Sequence, residues 1–352
     1  MKFIGSLSLL ASLVAAVSVD INKRDTPLDV KLEVVGNSAV KASITNTGSS
    51  ALKLFKTGTI LDQFPVEKVE VHTAESRVAF DGVRFRVSTQ GLEEEAFQSI
   101  AAGETIEVEF DPAETHDLST GGAFELLAQG AFSVAEEGST EISSAVPFVS
   151  NTISTEVDGA AAKAVHTSFH EKMKRTVVQS DCTGTRGTAT RNAIANCRTL
   201  ATRAQSAAAS GSASKFQEYY KTTAASTRSQ VATIFGRIAS ECGSTTSGVS
   251  RQYCSDVLGA CSGGVLAYTQ PSSSLMVNCP LFFSALSPTS SVCHDQDQQT
   301  TILHEMTHLS QIAGTDDFGG YGYDFVRSLS AAQNLRHADT YTLYAQALAV
   351  GC

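Results

Sequence analysis

Thr301-Ile302-Leu303-His304-Glu305-Met306-Thr307-His308 lies inside a longer run, Gln296 to Ile312, whose pattern predicts a helix. Residues four apart share one helix face about one turn apart, so the imidazoles of His304 and His308 can reach a single tetrahedral Zn²⁺. Glu305 follows the first histidine directly and can reach the open coordination position, where a carboxylate can take a proton from metal-bound water. The plain alternative is two histidines on a solvated helix face. It is outweighed by the setting of the motif in an exported, cysteine-rich chain with a removable leading segment.

A catalytic zinc needs a third protein ligand. The histidine that a longer zinc signature places six residues after the second is absent, because Gly314 stands there. A downstream glutamate is impossible, since Glu305 is the last one in the chain. Asp316, Asp317, Asp324, His337 and Asp339 remain as candidates.

Around this motif the second half is rich in Ala, Ser and Thr and reads as mostly helical. Further helices are predicted near Ala189 to Ala209, Lys215 to Cys242 and Ser330 to Ala349, with a short hairpin, Val265 to Tyr268 and Leu275 to Asn278, across Pro271. The first half has a different texture. Val30 to Val34, Val69 to His72, Val83 to Val87 and Ile106 to Phe110 alternate apolar and polar residues, which predicts half-buried strands. Asn46-Thr47-Gly48 and Asp81-Gly82 punctuate them as turns at the spacing of an antiparallel sandwich. Its histidines, His72, His116, His166 and His170, are scattered. The last two are spaced i, i+4 but lack a glutamate placed as a metalloprotease helix has it, so a solvated linker is expected there.

The chain has 352 residues and a net charge of −10, with 42% hydrophobic and 18% charged residues, a composition that excludes a mainly disordered chain. Residues 1–175 hold 15 basic and 25 acidic side chains, and residues 176–352 hold 11 of each. Neither half is basic overall, which argues against a nucleic-acid binder. All eight cysteines lie after residue 175. Met1 to Ser18 has the positive end, apolar run and small-x-small site of a secretory signal, and it is too short to span a bilayer. Export makes the cysteines a disulfide framework whose pairing the sequence does not fix. The dibasic Lys174-Arg175 falls where charge and cysteine content change, so processing is expected after Arg175, and Lys23-Arg24 offers a second trimming site. The expected organisation is a signal peptide (1–18), a β-rich propeptide (19–175) and a mature domain (176–352). The fold class is α+β: a β-sandwich-like propeptide domain, then a mainly helical zincin-like catalytic domain with a small β element. Without a thiol, the propeptide could silence a metal site only by steric cover or with a carboxylate.

His304-Glu305-Met306-Thr307-His308, followed by Gly314-Thr315-Asp316-Asp317 and Tyr321-Gly322 and by a closing Ala338-Asp339-Thr340-Tyr341 helix, resembles the deuterolysin family of fungal secreted zinc endopeptidases, the aspzincins. The resemblance spans the prepro arrangement and the cysteine-bearing half. It implies one zinc in the catalytic domain, His304, His308 and Asp339 as metal ligands, and Glu305 as the catalytic carboxylate. It further implies Asp317, with Asp316 as its rival, as a residue orienting a ligand or the bound water. Tyr321, rather than Tyr323, becomes the oxyanion-stabilising phenol, and the loop before it is one residue longer than the common spacing. A further tyrosine of the family falls at Phe282-Phe283, which have no hydroxyl. The resemblance also suggests Cys182–Cys254 and Cys261–Cys279. The last four cysteines would pair among themselves, with Cys293–Cys352 tying the chain end near the site.

The expected partners are protein and peptide substrates, including basic proteins such as histones and protamines, the chain's own propeptide and a dibasic-processing protease. Asp295, Asp297, Asp316 and Asp324 could give such substrates a negative cleft. A secreted, extracellular monomer without membrane or nucleic-acid partners is expected. Two rivals are a non-catalytic secreted disulfide-rich binding module and a zinc amidase acting on a non-peptide amide.

Overall fold

The computed structural model describes residues 26–173 and 179–352. The expected signal peptide, the Lys23-Arg24 pair and the Lys174-Arg175 junction lie outside the described residues. The first half is built of short strands: β1 (Leu28–Val34), β2 (Val40–Asn46), β3 (Leu52–Phe55), β4 (Glu70–His72), β5 (Arg84–Val87), β6 (Phe97–Ile100), β7 (Thr105–Phe110), β8 (Gly122–Leu127), β9 (Gln129–Ala135), β10 (Ile142–Val149) and β11 (Ile153–Val157). Ten of them form three antiparallel sheets, ordered β1-β2-β7, β10-β9-β3-β6 and β11-β8-β4. Alternation does the work expected of it. Leu28, Val30 and Leu32 of β1 and Val40, Ala42 and Ile44 of β2 turn inward to one core with Val71, Phe124, Leu126 and Phe132. Helix α1 (Gly159–Met173) follows. It starts where the Asp158 carboxylate accepts from the amides of Ala160 (2.8 Å) and Ala161 (3.2 Å), so the segment expected as a linker is helical up to Met173. His166 lies 3.4 Å from Asp81.

The second half carries α2 (Gly184–Ser210), α3 (Ala213–Tyr220), α4 (Ala225–Glu241), α5 (Pro280–Ser284), α6 (Gln298–His308), α7 (Tyr323–Ser328), α8 (Ala331–Arg336) and α9 (Ala338–Val350). Two predicted helices are each split. Lys221 takes a left-handed φ of 57° between α3 and α4, and His337 is extended between α8 and α9. Both breaks let aromatic rings converge, so that Phe216, Tyr220, Phe235, Tyr341 and Tyr344 interlock beneath α6 as edge-on and stacked pairs. Four disulfides, Cys182–Cys254, Cys197–Cys242, Cys261–Cys279 and Cys293–Cys352, pin these elements, and they include all three suggested pairs. No helix among the described residues is long and apolar enough to cross a membrane.

The predicted hairpin is present as β13 (Val265–Gln270) and β14 (Leu275–Asn278), joined by a 3₁₀ turn at Pro271–Ser273, with β12 (Arg251–Tyr253) parallel to β14. Its other edge holds what the pattern did not predict. β5, from the first half, pairs antiparallel with β13, placing Arg84 opposite Thr269, Phe85 opposite Tyr268 and Arg86 opposite Ala267. The alternation of Val83 to Val87 suggested a strand with its arginines in solvent, yet all four residues of β5 are buried. Its polar face is covered by acidic groups of the helical half.

Candidate metal centre

Helix α6 is fixed before its histidines are reached. The Asp297 side chain accepts from the Thr300 amide at 2.8 Å, and the Thr300 hydroxyl lies 3.0 Å from the Asp297 amide, a reciprocal cap at the buried N-terminus. Two turns on, His304, Glu305 and His308 are all buried.

Each imidazole is oriented through its Nδ1. That of His308 lies 3.0 Å from the Thr315 carbonyl oxygen, and that of His304 lies 3.0 Å from Asp339 Oδ1. Acceptors at both Nδ1 atoms place the protons there and leave the Nε2 lone pairs free. The two Nε2 atoms point at one spot, 3.1 Å apart. Asp317 completes the group, with Oδ1 3.3 Å from His304 Nε2 and Oδ2 3.5 Å from His308 Nε2. In a tetrahedral zinc site with bonds of about 2.0–2.2 Å, donors sit about 3.3–3.5 Å apart, so the spacing of these three fits. The hydrogen bonding agrees, because Asp317 Oδ1 is buried with no hydrogen-bond partner. A second cluster, Cys293, His294 and Cys352, is no rival, since both sulfurs are joined in a disulfide.

The aspartates therefore stand differently from the expectation drawn from the resemblance. His304, His308 and Asp317 converge, whereas Asp339 faces the Nδ1 side of His304, away from that spot. Its other oxygen, Oδ2, accepts from the Gly322 amide at 2.7 Å. Asp316 points elsewhere, into a cluster with Arg77, Arg84 and Arg336. His337 Nε2 lies 3.1 Å from the carbonyl oxygens of both Asp317 and Gly320, bracing the loop that carries Asp317, and Asp324 is exposed. Asp297 is spent on the helix cap, Asp295 accepts from Ser290 and Asp316 is paired with arginines, so three of the four acidic residues expected to line a cleft are already engaged.

Glu305 Oε2 accepts from Thr269 Oγ1 at 2.5 Å, and Oε1 is buried with no hydrogen-bond partner. Burial pushes its carboxyl up to about 8, against the pull of His304. Burial likewise holds His308 down to about 3, as a neutral imidazole. Burial and Arg86 oppose the charge on His304, but Asp317 and Asp339 outweigh them and raise it to about 9, so a proton on Nε2 must leave before that nitrogen can serve as a ligand. For Asp339 burial acts upward, but the Arg86 guanidinium and His304 hold the carboxyl well below the ordinary range.

Tyr321 is buried, its ring centroid 6.2 Å from that of His304, and its hydroxyl donates to the Phe85 carbonyl at 2.9 Å. The loop before it turns through Phe318 and Gly319, both left-handed at φ 51° and 75°, which absorbs its length. Tyr323 points away, donating to Glu218 at 2.6 Å and stacking on His294. Phe282 is a buried core ring and Phe283 packs under Arg186. Thr269, the Thr315 carbonyl and Arg86 were missed by the sequence reading. Thr315 stood in the quoted Gly-Thr-Asp-Asp stretch. Thr269 and Arg86 gain meaning only from strand pairing.

A two-histidine helix with a glutamate between and an aspartate closing the triangle defines a metalloprotease-type centre. The chain belongs to the deuterolysin metalloprotease (M35) family, whose model matches residues 1–352. Relatives covering the full length of both chains are a neutral protease 2 homolog of Colletotrichum graminicola, 64% identical over 353 residues, and one of Phaeosphaeria nodorum, 62% identical over 356. Among solved structures, a zinc peptidase from Grifola frondosa aligns with 47% of this chain and 97% of its own, at 17% identity and a TM-score of 0.41.

Proposed function

We propose that this metalloprotease is a secreted zinc endopeptidase made as a prepro-precursor, with residues 1–18 as signal, 19–175 as propeptide and 176–352 as the mature catalytic domain. The observation that carries the reading is the convergence of His304 Nε2, His308 Nε2 and the Asp317 carboxylate, with both Nδ1 atoms committed to acceptors. His304, His308 and Asp317 hold one Zn²⁺, and Asp339 is the positioning residue behind His304. Bound zinc supplies a Lewis acid that lowers the pKa of water to about 7.

The chain's own residues do the rest. Glu305, held through Oε2 by Thr269, has Oε1 free to accept a proton from the attacking water and to return it to the leaving amine. The Tyr321 phenol, which here donates to a backbone carbonyl, is placed to donate to an oxygen that becomes negative as the peptide carbonyl is attacked. Proteins and peptides are the substrates, including basic proteins, and a dibasic-specific protease separates the halves. The secreted product is an extracellular monomer.

Glu305→Gln tests the mechanism. Zinc content and melting temperature should stay within error of the parent while hydrolysis of denatured casein falls by at least about 10³-fold, within the roughly 10²–10⁴-fold worth of a general acid–base group. Undiminished hydrolysis would remove Glu305 from the reaction. Amine release without shortening of the chain would favour the amidase.

A further inference from the structure

Removal of β5 would leave β13 as the open edge of the sheet beside α6, a row of unpaired backbone donors and acceptors along the centre. Such an edge takes an extended peptide by adding a strand. The segment that fills it is held from both sides. On one side runs the ladder to β13, continued by the Ser88 amide donating to the Gly264 carbonyl at 2.8 Å. On the other, Tyr321 donates to the Phe85 carbonyl at 2.9 Å. Gln296 treats the backbone as a peptide would, donating through Nε2 to the Val87 carbonyl (2.8 Å) and accepting from the Thr89 amide (3.0 Å). All these contacts are to main chain and so are indifferent to sequence.

Two side chains are read as well. Arg84 pairs with Asp316 at 2.7 Å and Glu67 at 2.5 Å. Arg86, only 1% exposed, pairs with the fully buried Asp339, and its Nη1 comes within 3.4 Å of His304 Nδ1. The guanidinium and the Nδ1 proton of His304 thus share one carboxylate oxygen. A buried cation so placed is held only while its partner is present, because a lone buried charge is costly.

We propose that the groove between β13, Gln296 and Tyr321 is an extended-peptide site of the catalytic half, and that residues 84–89 occupy it as an internal plug. Arg86 on Asp339 is its anchor, and the Phe85 carbonyl is held by Tyr321. The plug keeps the intact chain latent until the halves part. This deepens the proposed function and rests on it. It also supplies steric cover, one of the two means left to a propeptide without thiols.

The test uses the zinc-loaded full chain carrying Lys174→Ala and Arg175→Ala, so that it stays in one piece, with hydrogen–deuterium exchange and cleavage of a short quenched-fluorescence peptide as readouts. The parent should protect the amides of residues 85–89 and 265–270 and cleave slowly. Arg86→Ala should speed both exchange there and cleavage at least tenfold, Arg86→Lys should stay within threefold of the parent, and Lys31→Ala, on an exposed face of β1, should change neither. Exchange in the parent at the rate of an unstructured peptide would overturn the plug, as would a parent that cleaves as fast as its Arg86→Ala form. If Arg86→Ala loosens the strand but no form cleaves the peptide, and neither does a chain with Lys174-Arg175 intact once its halves are parted, the docking stands and the proposed hydrolysis falls.

Discussion

Thr269 and Asp339 each touch a residue of the proposed centre from behind, and they differ in what they hold. Thr269 bonds the carboxylate proposed to move protons, and Asp339 bonds a histidine on the side away from the proposed metal position. A hydrogen bond to a charged group contributes about 1.5–3 kcal/mol, equivalent to a tenfold or greater change in rate if it is needed for orientation. Thr269→Val in the active enzyme should therefore lower kcat about tenfold or more with zinc content unchanged. Loss of zinc would make Thr269 part of the metal site instead. His304, His308 and Glu305 stand out in the sequence because helical spacing puts the two histidines on one face with the glutamate between them. The aspartate proposed as third ligand does not, because Asp316, Asp317 and Asp339 lie on a loop and a second helix, and no local period tells which of three carboxylates turns inward.

The reciprocal cap of α6 is an element's own contribution to the site, since it fixes the helix start two turns before the ligands. Asp297→Ala removes a buried cap and should cost about 1–2 kcal/mol of stability, read as a lower urea midpoint at unchanged m-value. A stability equal to the parent would show that packing alone sets the start of the helix. Strands β1, β4 and β7 and the β13–β14 hairpin follow from alternation and turn residues. The divided helices are less legible, since Lys221 and His337 carry no breaker signal and are bent by the aromatic packing below them. β5 was found as a strand but placed wrongly, because alternation reports two faces without saying whether the polar one meets water or carboxylates.

At the scale of the molecule, the halves are joined by charge as well as by β5. The Glu67 carboxylate lies 2.6 Å from Arg77 and 2.5 Å from Arg84, and both arginines reach Asp316 on the helical half. Burial opposes its ionisation, but the arginines hold it well below the ordinary glutamate value of 4.5. A carboxyl depressed by folding adds stability above its unfolded value, and that stability is lost as pH falls through the folded value. The melting temperature of the intact chain should therefore drop steeply below about pH 4.5, and Glu67→Gln should both lower it at neutral pH and flatten the acid limb. An acid limb of unchanged slope would exclude Glu67 from it. What is proposed for the whole arrangement is three donors around one ion. Competition against a chromogenic chelator, run on the full chain, measures zinc affinity for Asp317→Asn and Asp339→Asn side by side. Loss of a positioning residue costs about 10–100-fold, so Asp339→Asn should weaken zinc by that much and Asp317→Asn by at least tenfold more. The reverse order would contradict the assignment of Asp317 as the third ligand.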